Sequence, residues 1–132
     1  MERSLFDDYE YQCGIEEHDV KKSIDGLWQK MYSLIMNCNK LLENADLRKE
    51  VFTGDNYNII YGEALALRAM LHLDMLRLFG PIMAKNPDGR GIPYNESTDP
   101  QILSIMPAGT VLKDYIIRDL TEAEALLLAS DP

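Results

Sequence analysis

Two histidines are the residues of this chain whose chemistry could include acid–base catalysis or metal binding. His72 follows Arg68 by one helical turn, and His18 stands among acidic residues. His72 and Asp74 point to different sides of a helix, so they cannot act as a base and the residue that orients it. We interpret Arg68 and His72 as a polar strip between packed helices, and His18 as part of a solvated lead-in. No catalytic, metal or cofactor site is predicted, because no nucleophile elbow, phosphate loop, zinc spacing or calcium loop occurs.

Aromatic side chains are the other residues that could bind a ligand, because sugar rings stack on aromatic faces. Trp28 and Tyr32 lie on the apolar line of the first predicted helix and are interpreted as core residues. Tyr94 follows Pro93 in a long loop, where it either contacts a ligand or anchors the loop. Asn39 stands amid leucines and is expected to hydrogen-bond a backbone group of an adjacent loop, since an unpaired buried amide costs roughly 1 to 3 kcal/mol.

Length, composition and charge narrow the class of protein. The chain has 132 residues, 46% of them hydrophobic, which suits one domain with a core of its own. Its 13 basic and 22 acidic residues give a net charge of −9, and no basic run could follow a phosphate backbone, so nucleic acid is not an expected partner. No uncharged apolar segment reaches the length of about 18 residues that spans a membrane. Cys13 and Cys38 are interpreted as free thiols, which leaves the compartment open.

Apolar residues at helical spacing predict two long helices. The first covers about residues 23–45, and the second, central helix covers about residues 55–79 after a loop at 53–56. Asp55 or Asn56 is the expected N-cap of the central helix. A helix, a short loop and a second helix predict an antiparallel hairpin.

The central helix carries two apolar faces on roughly opposite sides. The first face contains Ile60, Ala64, Leu67, Leu71, Met75 and Leu78. The second contains Gly62, Leu65, Ala66, Ala69, Leu73 and Leu76. Two apolar faces need two packing partners, so the pattern predicts a helical repeat.

Small residues mark a line on the second face. Gly62, Ala66 and Ala69 remove side-chain bulk there and would let another backbone approach closely. Glycine inside a helix costs roughly 1 kcal/mol relative to alanine, so Gly62 is expected to have a packing role.

Polar residues of the central helix are assigned to its seams and its end. Glu63 shares one seam with Arg77 and is expected to form ion pairs along or across the bundle. Gly80 followed by Pro81 is expected to stop the helix, with Gly80 in the left-handed conformation.

The last third of the chain is predicted to contain a long loop and a third helix. Residues 81–109 are rich in proline and glycine, and we expect an ordered excursion over the helices. A helix then covers about residues 110–129, with Thr110 as N-cap and an apolar face of Val111, Ile116, Leu120, Ala123 and Leu127. The predicted fold class is all-α.

Four groups of residues resemble, in chain order, the N-terminal helical region of the SusD/RagB-like family of Bacteroidota outer-membrane nutrient-binding lipoproteins. The first helix contains Trp28, Tyr32, Ile35 and Asn39 with Leu41-Leu42. The central helix contains Gly62-Glu63-Ala64, Leu67-Arg68-Ala69 and Arg77-Leu78-Phe79-Gly80, similar to the family's GEA, LRA and RxFG core. The loop contains Gly91-Ile92-Pro93, and the third helix contains Val111, Ile117, Asp119-Leu120 and Ala123. Together these groups span about residues 28–127.

The resemblance implies an architecture and a function. It implies tetratricopeptide-like antiparallel helix pairs in a surface-exposed lipoprotein of the outer membrane. It also implies non-catalytic binding of a glycan or other nutrient, and a TonB-dependent transporter as partner. We expect structural roles for the residues Trp28, Tyr32, Asn39, Gly62, Glu63, Arg68, Ala69 and Gly80.

Two departures from the family pattern shape the expectation for this chain. The first residues do not predict a signal peptide, and Cys13 follows Tyr11-Gln12 rather than the small apolar residues expected of a lipidation site. The family's glycan-contacting residues lie mainly in loops and in the region after these helices. We therefore expect residues 1–132 to form one helical domain, the N-terminal part of a SusD-like protein that is either trimmed or truncated. The alternative is a free-standing tetratricopeptide-like adaptor that binds a protein or peptide.

Overall fold

Three long helices build the part of the fold that the structure describes. The computed structural model describes residues 17–80, 86–99 and 104–129. Helix α1 covers Glu17–Leu47, a short 3-10 helix covers Lys49–Val51, and α2 covers Asn56–Phe79. Helix α3 has three parts: an α-helical turn at Ala108–Thr110, a π-helix at Val111–Ile116 and an α-helix at Ile117–Ala129. The described ranges contain no strand, and the predicted all-α class is confirmed.

Helix α2 lies between the other two helices. Its contacts with α1 run in reverse chain order, from Asp46 opposite Tyr57 to Trp28 against Phe79, so the two helices form the predicted antiparallel hairpin. The other side of α2 packs on α3. Both apolar faces of the central helix therefore have partners, as the two-faced pattern predicted.

Packing against α3 explains the small residues of α2. A Cβ atom added to Gly62 would lie 3.0 Å from Cγ of Leu127 and 3.3 Å from Cβ of Leu126. Ala69 is fully buried in the main core cluster. The close approach that these residues were expected to permit is the approach of α3.

The core is continuous across the helices and the long connection. Its fully buried apolar side chains come from all three helices and from the segment between α2 and α3: Ile35, Ala69, Met75, Ile92, Ala108 and Val111. Residues 86–99 are irregular, yet Gly91 donates a backbone hydrogen bond to Met106 and Ala108 donates one to Gly89. The described part of the long loop is thus an ordered excursion that supplies core residues.

The π-helix changes the spacing of the buried face of α3. Hydrogen bonds in a π-helix reach five residues along the chain, one more than in an α-helix. Val111 and Ile116 are both buried at that spacing, and Asp119 and Ala123 continue the buried face at intervals of three and four. The extra residue therefore places Asp119 on the side that faces α2.

Three predictions about helix ends are wrong. Helix α1 begins at Glu17 rather than near residue 23, because the polar residues of this stretch are adequate helix formers. The N-cap of α3 is Pro107 and not Thr110, which lies inside the helical segment. Gly80 has φ of −93° and ψ of 175°, which is extended and not left-handed. Its lack of a side chain matters for another reason, since a Cβ would lie 2.5 Å from the carbonyl oxygen of Leu76.

Helix α2 begins at its predicted boundary. Asp55 is the N-cap residue, but its side chain makes no capping hydrogen bond. The interpretations of Cys13 and His18 concern side chains outside the described part of the structure.

Candidate functional site

A buried ion pair joins the two helices that pack through their small residues. Nε of Arg68 on α2 donates to Oδ2 of Asp119 on α3 at 2.9 Å, and a terminal nitrogen donates to Oδ1 at 3.0 Å. Arg68 is 7% exposed and Asp119 is 1% exposed. Two parallel hydrogen bonds to one carboxylate fix the orientation of both side chains.

The remaining polar atoms of this pair reach α1 and the long connection. The third nitrogen of Arg68 donates to Oδ1 of Asn39 on α1 at 3.1 Å. The Tyr94 hydroxyl donates to Oδ2 of Asp119 at 2.5 Å. Asn39 in turn donates to the Asn95 carbonyl at 3.1 Å, which is the kind of backbone partner that its leucine-rich setting predicted. We call these five residues, with His72, the buried polar network.

Charge and burial have opposite effects on the pKa values of Arg68 and Asp119. Burial by itself would raise the pKa of Asp119, but hydrogen bonds from Arg68 and Tyr94 and the charge of Arg68 hold that pKa below its ordinary value. Burial likewise works against the charged form of Arg68, while the hydrogen bonds and charge of Asp119 raise its pKa. Both groups are therefore ionised at neutral pH.

His72 accepts and donates hydrogen bonds as a neutral ring. Its Nε2 accepts the backbone N–H of Asn95 at 3.0 Å, so Nδ1 carries the proton and donates to the Arg68 carbonyl at 2.8 Å. The ring stacks on Tyr94 with centroids 3.8 Å apart. Burial lowers the pKa of His72 to about 4, and the nearby positive charge of Arg68 adds to this effect. A proton on Nε2 would remove the acceptor for Asn95, so the network requires neutral His72.

A second ion pair lies at the exposed edge of the network. Arg118 pairs with Glu96, and its guanidinium also contacts Asp119 at 3.0 Å. Thr98 donates its backbone N–H to Glu43 of α1 at 3.1 Å. The segment 94–98 is thus attached to all three helices.

The structure gives one answer for Tyr94 and another for Trp28 and Tyr32, the aromatic residues considered as ligand contacts. Tyr94 is 6% exposed, with both its ring and its hydroxyl engaged, which favours the loop-anchor alternative over direct ligand contact. Trp28 and Tyr32 are half-buried and pack on each other, with Trp28 also against Phe79. Each also lines a surface groove, so neither is purely a core residue.

That groove, which we call the aromatic groove, lies between α1 and the segment at 93–95. Its volume is about 680 Å³. One wall is α1 and the other includes Pro93 and Asn95. The described residues that line it are Trp28, Gln29, Tyr32, Ser33, Met36, Asn37, Lys40, Pro93 and Asn95. It therefore combines an aromatic pair with amide, hydroxyl and ammonium groups.

A second groove runs between α1 and α2 and is mainly apolar. Its volume is about 510 Å³, and Leu34, Leu41 and Leu67 along it are 42%, 46% and 53% exposed. Glu63 lies in its lining and is exposed, and no described residue forms an ion pair with it. The predicted ion pairing of Glu63 thus has no counterpart in the described structure. Cys38 lines the same groove as a buried thiol whose pKa is raised by burial.

Sequence reasoning missed two members of the network. Asp119 was noticed only as part of a family-like motif, and Asn95 was not noticed at all. A usable signal existed for Asp119, since it is a carboxylate on an otherwise apolar face of α3 and Arg68 is a cation on a mainly apolar helix. Among the described residues, no cluster of three or more His, Cys, Asp or Glu side chains could hold a metal ion.

Comparison with models of known families shows the family to which this chain belongs. A family model described as "Starch-binding associating with outer membrane" matches residues 3–131. The chain belongs to the SusD-like family. No curated protein and no solved structure gives a match. The residues that resemble the SusD-like motifs include Asn39, Arg68 and Asp119, all of which belong to the buried polar network.

Membership of the SusD-like family indicates a general function for this fold. SusD-like proteins bind starch or other glycans and are associated with the outer membrane. They are binding proteins rather than enzymes. None of the helices described for this SusD-like chain is long and apolar enough to cross a membrane.

Proposed function

We propose that these helices are the non-catalytic scaffold of a cell-surface glycan-binding protein that works with a TonB-dependent outer-membrane transporter. The proposal includes a tetratricopeptide-like relation between α1 and α2, supported by their antiparallel order of contacts. It also places residues 1–132 as a single helical domain at the N-terminal end of a SusD-like lipoprotein held at the cell surface. In this role the domain supports a glycan site formed elsewhere in the protein and faces the transporter, and it catalyses no reaction.

One observation carries the scaffold role. Three polar residues that resemble the family motifs are buried and contact each other: Arg68 is paired with Asp119 and Asn39, and the Asp119 carboxylate accepts hydrogen bonds from Arg68, Tyr94 and Arg118. Such pairing stabilises one arrangement of helices and the connection between them. The network is thus suited to hold a binding surface in place.

The genomic surroundings of the coding sequence test the transporter partnership. An adjacent gene for a TonB-dependent transporter, together with a signal sequence and a lipidation cysteine in the encoded protein, is the expected finding. Co-purification of the two gene products after joint expression in an outer membrane would test the contact directly. A coding sequence with no transporter gene nearby, and a product that does not co-purify with one, would contradict the proposal.

The apolar groove between α1 and α2 favours the adaptor as a second candidate. Its exposed leucines could hold the apolar face of a helical peptide. Replacement of Leu67 by serine would weaken capture of such a peptide without disturbing the buried polar network. The adaptor candidate is rejected if the same replacement leaves all protein partners of the chain unchanged.

A further inference from the structure

We propose that the aromatic groove is a binding subsite for a neutral oligosaccharide of the starch class. This inference takes its ligand class from the proposed function, but it goes further, because it places a glycan contact on the helical scaffold itself. The argument rests on the stripe of polar residues along the groove, the aromatic pair beside it, the fixed opposite wall and the charge of the lining.

The polar stripe comes from a single helix. Gln29, Ser33, Asn37 and Lys40 follow each other on α1 at intervals of four, four and three, so they project from one side of the helix. All four are exposed, and none of them makes a side-chain hydrogen bond to a described residue. The stripe extends for roughly 16 Å at about 1.5 Å per residue. It therefore offers, along the length of a short oligosaccharide, hydrogen-bonding groups that no described residue engages.

The aromatic pair supplies the complementary apolar surface. Trp28 and Tyr32 lie one turn apart on α1, with ring centroids 5.0 Å apart, and Trp28 is supported from behind by Phe79 at 4.9 Å. A pyranose ring presents C–H groups on its faces and hydroxyl groups around its edge. It needs an apolar surface next to hydrogen-bonding groups, and the groove provides both on neighbouring lines of α1.

The wall opposite α1 is held by Tyr32 and by the buried polar network. The Tyr32 hydroxyl donates to the Pro93 carbonyl at 2.7 Å, and the Asn95 backbone is fixed by His72 and Asn39. Pro93 and Asn95 are buried on their core side. A groove whose two walls are already fixed loses little conformational entropy when a ligand enters.

The charge of the lining distinguishes between classes of ligand. The described residues that line the groove include no aspartate or glutamate, and Lys40 is the one charged side chain among them. The chain as a whole carries a net charge of −9, which repels polyanions approaching from solution. A neutral glycan is not repelled by this net charge. The apolar groove between α1 and α2 shares Asn37 with this lining but lacks Gln29, Ser33, Lys40 and the aromatic pair, and it contains Glu63, so it does not share the predicted specificity.

The single tryptophan of the chain provides the assay. Trp28 is the only tryptophan, and it lies in the proposed subsite. Titration with maltotriose and maltohexaose should change its fluorescence saturably, with a dissociation constant in the millimolar range. Calorimetry with the same sugars measures binding independently of the fluorophore.

Matched variants locate the binding. Gln29→Ala should weaken binding by about fivefold through the loss of one hydrogen bond, and its combination with Asn37→Ala by roughly 25-fold. Gln29 lines the aromatic groove but not the apolar groove, whereas Asn37 lines both. Asn44→Ala is the control, since Asn44 is also an exposed asparagine of α1 but lies outside the groove lining. All three substitutions are at exposed positions and should leave the circular dichroism spectrum and the melting temperature unchanged.

Two results would overturn the subsite. One is the absence of both a fluorescence change and binding heat with either sugar at millimolar concentrations. The other is binding that Gln29→Ala and the double variant leave as tight as in the parent chain. Neither result depends on the transporter partnership, which the neighbouring genes and co-purification test separately.

Discussion

Replacement of Asp119 by asparagine should destabilise the fold strongly, because it leaves the charge of Arg68 buried without a counter-ion. Asp119 accepts two hydrogen bonds from Arg68, one from Tyr94 and one from Arg118, and is 1% exposed. Removing one partner of such a buried pair costs about 3 to 5 kcal/mol. A domain of this size is stable by only about 5 to 15 kcal/mol, so the loss is a large part of the total.

Urea denaturation followed by circular dichroism measures this effect. The midpoint for Asp119→Asn should fall by an amount equivalent to at least about 3 kcal/mol, with a melting temperature lower by about 10 °C. Asp114→Asn is the matched control, since Asp114 is an exposed aspartate of the same helix. The control should remain within about 0.5 kcal/mol of the parent chain.

A double substitution shows whether the destabilisation by Asp119→Asn comes from the unpaired charge of Arg68 or from lost packing. Arg68→Met with Asp119→Leu removes both charges and should be less destabilising than Asp119→Asn alone, because no buried charge remains unpaired. The reasoning is refuted if Asp119→Asn unfolds at the same urea concentration as Asp114→Asn. It is also refuted if the double variant is as unstable as the sum of its two single changes.

Three further perturbations concern packing and protonation. Ala69→Leu should lower the free energy of unfolding by about 1 to 3 kcal/mol, since added bulk at this fully buried position forces α2 and α3 apart. Acidification from pH 7 to 5 should cost about 2 kcal/mol, because the pKa of His72 is about 4 in the fold and 6.5 when unfolded, so stability is lost as pH falls through this window. Gly80→Ala should cost about 1 to 3 kcal/mol, because its Cβ would lie 2.5 Å from a backbone carbonyl oxygen.

Each of these changes has a matched control measured by the same denaturation assay. Ala125→Leu alters an exposed position of α3, and a loss of stability equal to that of Ala69→Leu would contradict close packing at Ala69. His72→Gln should remove most of the acid sensitivity, and an unchanged pH dependence would assign it to other groups. Gly26→Ala meets no atom within 4 Å and should stabilise α1 by up to about 1 kcal/mol, in contrast to Gly80→Ala.

Periodicity was sufficient to predict the helical scaffold. Apolar residues at intervals of three and four define a helix locally, so the hairpin and the two partners of α2 followed from the sequence. Gly62 also indicated the close approach of a neighbour, since a helix tolerates glycine poorly unless packing requires it. These features depend on residues within a few turns of each other.

Long-range pairing was beyond such local reasoning. Arg68 and Asp119 are 51 residues apart, and Asn39 and Asn95 are 56 residues apart, so no spacing rule connects them. The π-helix was also missed, although the interval of five between Val111 and Ile116 is its trace in the sequence. The aromatic groove needed both α1 and the segment at 93–95, and Trp28 and Tyr32 taken alone resembled core residues.

The buried polar network has a consequence for the order of folding. The α1 and α2 hairpin can form early from local contacts, but at that stage Arg68 has no carboxylate and Asn39 has no carbonyl partner. Only when α3 and the segment between α2 and α3 have docked are both sets of hydrogen bonds complete, so the hairpin should not persist alone and the chain should fold in one cooperative step.

Native-state hydrogen exchange should therefore show the amides around Arg68 and Asp119 opening with the same free energy as global unfolding. Opening of α3 at a much lower free energy, with α2 still protected, would contradict this coupling.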